Sequence, residues 1–227
     1  MKSIHEPTDT ADPGTANFPT PRGWGYIVAV ALLVIAGLSW PGSRLGEQCR
    51  LMQAANNGRQ ILISLASYAR DHDGQYPDGA TANAAFRQLF TTELLDDERA
   101  FTAYYSPYAP DNDMGEAPLF AKTLRAGENH WAMTKGLTSR SEKSAPLIFE
   151  NPALPSWPPY WNAEAVDVKE PGRVWKNQRI IAGRVDGSIL AEHLGPKTGP
   201  HATLAPIQGG KNLFDLAGPH EVLEVER

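Results

Sequence analysis

Residues Trp24 to Trp40 read WGYIVAVALLVIAGLSW, a run with no charged side chain. Its 17 residues span roughly 26 Å as a helix at about 1.5 Å per residue. That is close to the ~30 Å hydrocarbon thickness of a bilayer and at the short end for a crossing. Eight of the residues are Ile, Leu or Val, and each favours insertion by about 0.3–0.6 kcal/mol when central. Trp24, Tyr26 and Trp40 stand at the ends, where amphipathic rings prefer the interface. Arg22 and Arg44 bracket the run, and Pro41-Gly42 stops the helix. The reading is a membrane anchor over 23–42 that carries a soluble domain on one side.

Two other readings stay open, a buried core helix and a cleaved signal peptide. Gly37 and Ser39 are small residues that would suit a cut at Trp40. Against a signal peptide, the preceding tail holds Glu6, Asp9 and Asp12, unlike a basic leader. Charge does not orient the anchor, because Lys2 and Arg22 before it balance Arg44 and Arg50 after it. Residues 1–22 are polar, Pro/Thr-rich and aperiodic, which predicts disorder. The net charge of −5 argues against a nucleic-acid partner, which needs clustered positive charge. Cys49 is the only cysteine, so no intrachain disulfide or thiolate zinc cluster can form.

Beyond the anchor, Ser43 is placed to cap a second helix. Leu51, Ala55, Gly58, Leu62, Leu65 and Ala69 recur at spacings of three and four along it. Asn56-Asn57-Gly58 is its weak point, since Gly costs about 1 kcal/mol against Ala in a helix. It ends near Asp73-Gly74, with Pro77 beyond. Asn83 is read as the cap of a shorter helix with Phe86, Leu89 and Phe90 on its apolar side. Residues 104–118 carry turn chemistry throughout. Strands are expected over His130–Thr134 and Pro146–Glu150, and 151–177 is a Pro- and Trp-containing excursion. RIIAGRVDGSILAEHL, Arg179 to Leu194, carries a hairpin signature at Asp186-Gly187. A three-residue loop that pairs Val185 with Ile189 and sets Arg184 beside Glu192 sorts apolar from charged best. The soluble domain is bounded at 43–194, with 195–227 as a Gly/Pro-rich extension.

An apolar helix, an amphipathic helix and a late antiparallel sheet form the layout of a pilin. PRGWGYIVAVALLVIAGLSWPG resembles a degenerate prepilin N-terminus, in which Gly23 would end the leader and Trp24 would begin the mature chain. NNGRQILISLASYARDHDGQYPD (Asn56 to Asp78) resembles pseudopilin-like proteins of the planctomycete and verrucomicrobial kind. TANAAFRQLF, GENHWAM and VWKNQRIIAGRVDGS resemble further blocks of the same group, in the same order. The resemblance implies a pilin-like α+β fold, a helical stem on a small antiparallel sheet with long loops. It also implies a structural or adaptor role without catalysis in a type II secretion or type IV pilus-like system, with other pseudopilins and the lipid bilayer as partners. The soluble domain would lie on the extracytoplasmic side. Two departures stand out. The family's anchor glutamate is replaced by Val28, and a Cys-Pro found in related chains is Ser106-Pro107 here. Val28 favours an alternative, a surface or periplasmic binding module that has kept the scaffold and lost assembly.

Three constellations invite a sharper reading. Asp71, Asp73 and Asp78 surround a Gly turn, and alternate carboxylates can gather on a hard cation such as calcium. The same pattern is ordinary Asp-Gly turn chemistry at a solvated helix end. Asp111 and Asp113 join a metal site only where the fold brings them close. His130 beside Trp131 lacks a nucleophile motif and is expected to be a packed strand histidine. Trp157, Tyr160 and Trp161, in PSWPPYW, form the candidate partner surface, against the plainer expectation that they pack the excursion onto the sheet.

Overall fold

The computed structural model describes residues 21–39 and 44–227. The disorder expected over residues 1–20 and the Ser43 cap fall outside them, whereas Pro21 and Arg22, read as part of that tail, begin a helix. The chain divides into two units, Met1–Glu47 and Gln48–Arg227. In the first, α1 runs from Pro21 to Ser39, and its backbone includes Gly23 and Trp24. Tyr26, Ile27, Val28, Val30 and Leu32 to Ile35 are all exposed. The side chains described in α1 cover 25–35, fewer than the roughly 20 apolar residues a crossing takes. Among the described residues no helix is long and apolar enough to cross a membrane.

The second unit is α+β: the long helix α2 (Arg44–Asp71), which belongs to this unit from Gln48 onward, packs on a five-stranded antiparallel sheet. Ile61, Leu62, Leu65 and Ala69 of α2 are buried in that contact. Gly74 ends the helix from a left-handed backbone (φ +85°) and donates to the Ala69 carbonyl at 2.7 Å, the geometry only Gly adopts cheaply. Helix α3 (Ala82–Thr91) is capped by Thr81, whose side chain accepts the Ala84 amide. Asn83, expected as that cap, is instead fully buried inside α3. Its amide donates to the Leu124 carbonyl at 2.8 Å, and its oxygen accepts Glu226 N at 3.0 Å. Tertiary partners on both sides outbid the local capping role.

The strands are β1 (Trp131–Lys135), β2 (Pro146–Glu150), β3 (Trp161–Asn162), β4 (Arg179–Arg184), β5 (Ile189–His193), β6 (His201–Ala202) and β7 (Glu221–Leu223). The main sheet runs β5-β4-β2-β1-β7, and β3-β6 form a separate pair. Both faces are covered. Trp131, Met133, Ile148 and Ile181 face the α2–α3 core. Ala132, Phe149, Ile180 and Ala182 face a second core with Trp161 and Phe214. Burial on both faces is why β1 and β2 read as near-continuous apolar runs.

Residues 195–227 belong to this unit rather than extending from it. They supply β6, helix α4 (Leu213–Ala217) and β7, which pairs Leu223 with Met133. Leu213, Phe214, Val222 and Leu223 are buried. The glycines and prolines there set turns between short packed pieces, so composition alone misplaces the domain boundary. The hairpin forms at Asp186-Gly187, but Gly183, not Val185, faces Ile189. Val185 and Asp186 donate instead to Ala145 and Lys143 carbonyls at 3.0 and 3.1 Å, which draws the loop toward the start of β2. The shift of two residues keeps each side chain on its face, and Arg184 still reaches Glu192 at 2.6 Å.

Gly58 is one place where the helix lies close against the sheet. A Cβ there would lie 2.3 Å from Ile189 Cδ1 and 3.0 Å from Trp131 Cη2. The isoleucine tip can rotate, but the indole is buried and its Nε1 donates to the Ala100 carbonyl at 3.1 Å. Gly58→Ala gains about 1 kcal/mol of helix propensity and meets about 1–3 kcal/mol of overpacking. The expected result is a net loss of about 1 kcal/mol in urea unfolding, against the gain that helix propensity alone would give.

Candidate functional site

The most concentrated polar chemistry in the second unit lies at the end of β2. Glu150 closes the strand PLIFE, and its side chain points into the core, fully buried. Four donors converge on its carboxylate. His130 Nε2 lies 3.1 Å from Oε1 and Arg173 Nη2 2.9 Å from the same atom. Trp175 Nε1 reaches Oε2 at 2.9 Å, and the Ile181 amide donates to Oε2 at 3.0 Å. Trp161 Nε1 adds a bond to the Glu150 backbone carbonyl at 3.0 Å. One carboxylate thus ties together the lead-in to β1, the end of β2, the excursion and β4.

Burial on its own would raise the Glu150 carboxyl. Arg173, His130 and the Ile181 amide together outweigh it and hold the group below the ordinary carboxylate range. Burial pushes the His130 imidazole down, against the pull of Glu150. The ring is therefore neutral, with its proton assigned to Nε2 for Glu150. Nδ1 is buried with no hydrogen-bond partner among the described residues. The Arg173 guanidinium also stacks over the Trp175 ring, 4.1 Å from its centroid.

The side chains of His130, Glu150 and Arg173 are 3%, 1% and 1% exposed. A substrate would have to displace core to reach them, so the arrangement is suited to holding segments together. His130 is buried as expected from sequence, but it precedes β1, which begins at Trp131 rather than at His130. Its partner Glu150 is legible only as a strand end, and Arg173 is one charge among several in the excursion.

The expected metal residues do not gather. Asp71, Asp73 and Asp78 are all exposed. Asp71 pairs with Arg70 at 3.4 Å, and Asp78 accepts the Gly79 amide at 2.8 Å. Asp73 takes a left-handed turn conformation, φ +52°. Among the described residues, the acidic oxygens that converge belong to Glu98, Asp111 and Glu128, all within 4.8 Å of one another. Of these, sequence pointed only to Asp111. Asp113 turns away to Lys122, at 2.8 Å.

Glu98 opens the 3₁₀ turn Glu98–Phe101 and is fully buried. Its Oε1 accepts the Leu124 amide at 2.6 Å, and Oε2 makes no hydrogen bond of normal geometry among the described residues. Burial raises this carboxyl, the Leu124 and Asn112 amides oppose the shift, and the charges of Glu128 and Asp111 add to it. Glu128 Oε2 accepts the Arg125 amide at 2.6 Å. The Arg125 guanidinium lies 2.5 Å from Asp111 and 3.6 Å from Glu128.

The candidate partner surface is not one surface. Trp161 is fully buried beneath Glu150 and Phe149. Trp157 is half-buried, edge-on to Phe214 at 5.1 Å and near His220 at 5.3 Å. Tyr160 is likewise half-buried. Trp157 and Trp161 pack the excursion onto the second core, and the indole of Trp161 has an internal acceptor. Compared with family models, curated proteins and solved structures, the chain finds no match in any of the three.

Proposed function

We infer that this chain is a pseudopilin-like, single-pass protein of the cell envelope, with a structural or adaptor role in a type II secretion or type IV pilus-like machine. The observation that carries this is the order of its parts. An apolar helix with every described large side chain exposed precedes, in sequence, a long helix packed on an antiparallel sheet. A run of exposed Ile, Leu and Val is unfavourable in water and is accommodated by lipid or by neighbouring anchors. The soluble unit would lie on the extracytoplasmic side, with other pseudopilins as partners. The buried Glu150 tie fits a scaffold role, since it fixes the fold without offering a reactive group to solvent.

The test is carbonate extraction of membranes from the native source, followed by intact mass and N-terminal sequencing. A membrane-retained chain beginning at Trp24 supports prepilin-type processing. A soluble chain beginning near Trp40 contradicts the anchor. A membrane-retained start at Met1 keeps the anchor and removes the processing step.

Val28 favours a second reading, a non-assembling binding module on the same scaffold. An apolar residue there inserts without needing a charged partner and cannot make the pilin-type contact to a neighbour's N-terminal amine. Val28→Glu, with membrane cross-linking as readout, separates the two. The assembly reading expects more oligomer, and unchanged cross-linking favours the module.

A further inference from the structure

We propose that Glu98, Asp111 and Glu128 form a calcium site, built where the loop 104–128 folds back over the 3₁₀ turn. A group of acids on a surface is ordinary, and Asp111 alone would carry nothing. Glu98 changes the case. It is fully buried and contributes an oxygen to a group of three carboxylates within 4.8 Å. Among the described residues its Oε2 finds no hydrogen bond of normal geometry. A buried oxygen that lacks a donor is costly unless something else satisfies it. The Asn112 amide approaches Glu98 without normal hydrogen-bond geometry; beyond it water and an ion are the available partners, and two neighbouring carboxylates favour the ion.

The spacing fits calcium. Oxygens on opposite sides of an ion bound at about 2.3–2.6 Å stand about 4.6–5.2 Å apart, and adjacent ones lie closer. Three hard oxygen donors with no nitrogen or sulfur ligand exclude the softer transition metals as preferred occupants. The donors come from a 3₁₀ turn and two loop positions, two buried and one exposed. Calcium tolerates such irregular sets, whereas magnesium demands a near-ideal octahedron. A cavity of about 280 Å³ bordered by Glu98, Asn112 and Met114 reaches one of the three carboxylates.

Arg125 is the internal competitor. Its guanidinium bridges Asp111 and Glu128 and supplies one positive charge against three carboxylates. Its side chain is 46% exposed, so it can swing into solvent when a dication takes its place. The remaining coordination positions would be filled by water and loop carbonyls.

The experiment uses the full chain, stripped with chelator and titrated calorimetrically with calcium chloride alone. One saturable site is expected, in the 10⁻⁴–10⁻³ M range of about that seen for extracellular modules. Asp111→Asn removes an exposed ligand without disturbing the core and weakens binding at least about tenfold. Glu98→Gln does the same where circular dichroism shows it folded. Arg125→Ala tightens binding, because the competing cation is gone. Asp73→Asn leaves it unchanged. The absence of saturable binding up to about 10 mM, ten times the weakest such modules, overturns the proposal. So does an affinity that Asp111→Asn leaves intact or that Asp73→Asn abolishes.

Discussion

Glu150→Gln is expected to destabilise the second unit by about 3–5 kcal/mol, the range for removing one partner of a buried ion pair. The substitution keeps the shape and removes the charge. Arg173 is then left 1% exposed with no counter-charge, and its Nε and Nη1 already lack hydrogen-bond partners among the described residues. The Ile181 amide and the Trp175 indole would each face a group that is both weaker as an acceptor and partly a donor. Denaturant unfolding followed by tryptophan fluorescence reads the loss. The double variant Glu150→Gln with Arg173→Met is expected to be more stable than Glu150→Gln alone, since the orphaned charge is what costs most. A double variant no better than the single would place the effect in packing instead.

The same group sets a pH dependence. In the folded chain Glu150 titrates below its ordinary value of 4.5. As pH falls, the unfolded chain takes the proton first, so the stabilisation present above about 4.5 is lost as pH drops through the folded value. His130 also titrates below its ordinary 6.5 when folded. The unfolded chain again binds its proton first, so stability begins to fall below about 6.5. Both act in one direction, giving a plateau near neutrality and two successive acid losses. Glu150→Gln should abolish the lower one. Because it also removes the carboxylate that pulls the imidazole up, the upper loss should deepen.

What the sequence shows of this molecule follows from how local the determining interactions are. The hairpin at Asp186-Gly187 is visible because its turn chemistry is adjacent in the chain. The stripe from Leu62 to Ala69 is visible because helical spacing is local. The register of that hairpin is not, since the Ala145 carbonyl that claims Val185 lies 40 residues earlier. The Glu150 tie is hidden for the same reason. Its donors come from positions 130, 173, 175 and 181, and no one of those stretches announces a partner. One signal was available: Glu150 ends a run of apolar residues that leave it no exposed face, and a charge so placed needs a counter-charge. The acidic group at Glu98 needed the fold outright. The aspartates at 71, 73 and 78 look like ligands on paper because they cluster in sequence, and a helix end splays them into solvent. Those that converge are far apart in sequence and close in space.

Gly172→Ala is the second large effect, and it tests how the excursion delivers Arg173 to Glu150. Gly172 has φ +71°, a left-handed backbone that costs an alanine about 1–2 kcal/mol. A Cβ there would lie 2.4 Å from Ala153 N and 2.5 Å from Ala153 Cα. These are backbone atoms, so no rotamer change relieves the clash. Ala153 is also held in place, its amide donating to the Tyr160 carbonyl at 2.9 Å, while the Gly172 carbonyl accepts Asn162 N at 2.8 Å. Forcing these two segments of the excursion apart adds about 1–3 kcal/mol of overpacking. The expected total is about 2–5 kcal/mol in urea unfolding. Gly187→Ala is the matched control, because its φ of +83° imposes the same conformational strain while its Cβ would meet nothing within 4 Å. The difference between the two variants therefore isolates the close approach of Gly172 to Ala153. If the two lose the same stability, the excursion yields at no cost and Arg173 is positioned by its ion pair alone. If Gly172→Ala loses more and its acid losses also shift, the backbone contact is what holds the guanidinium in register with Glu150.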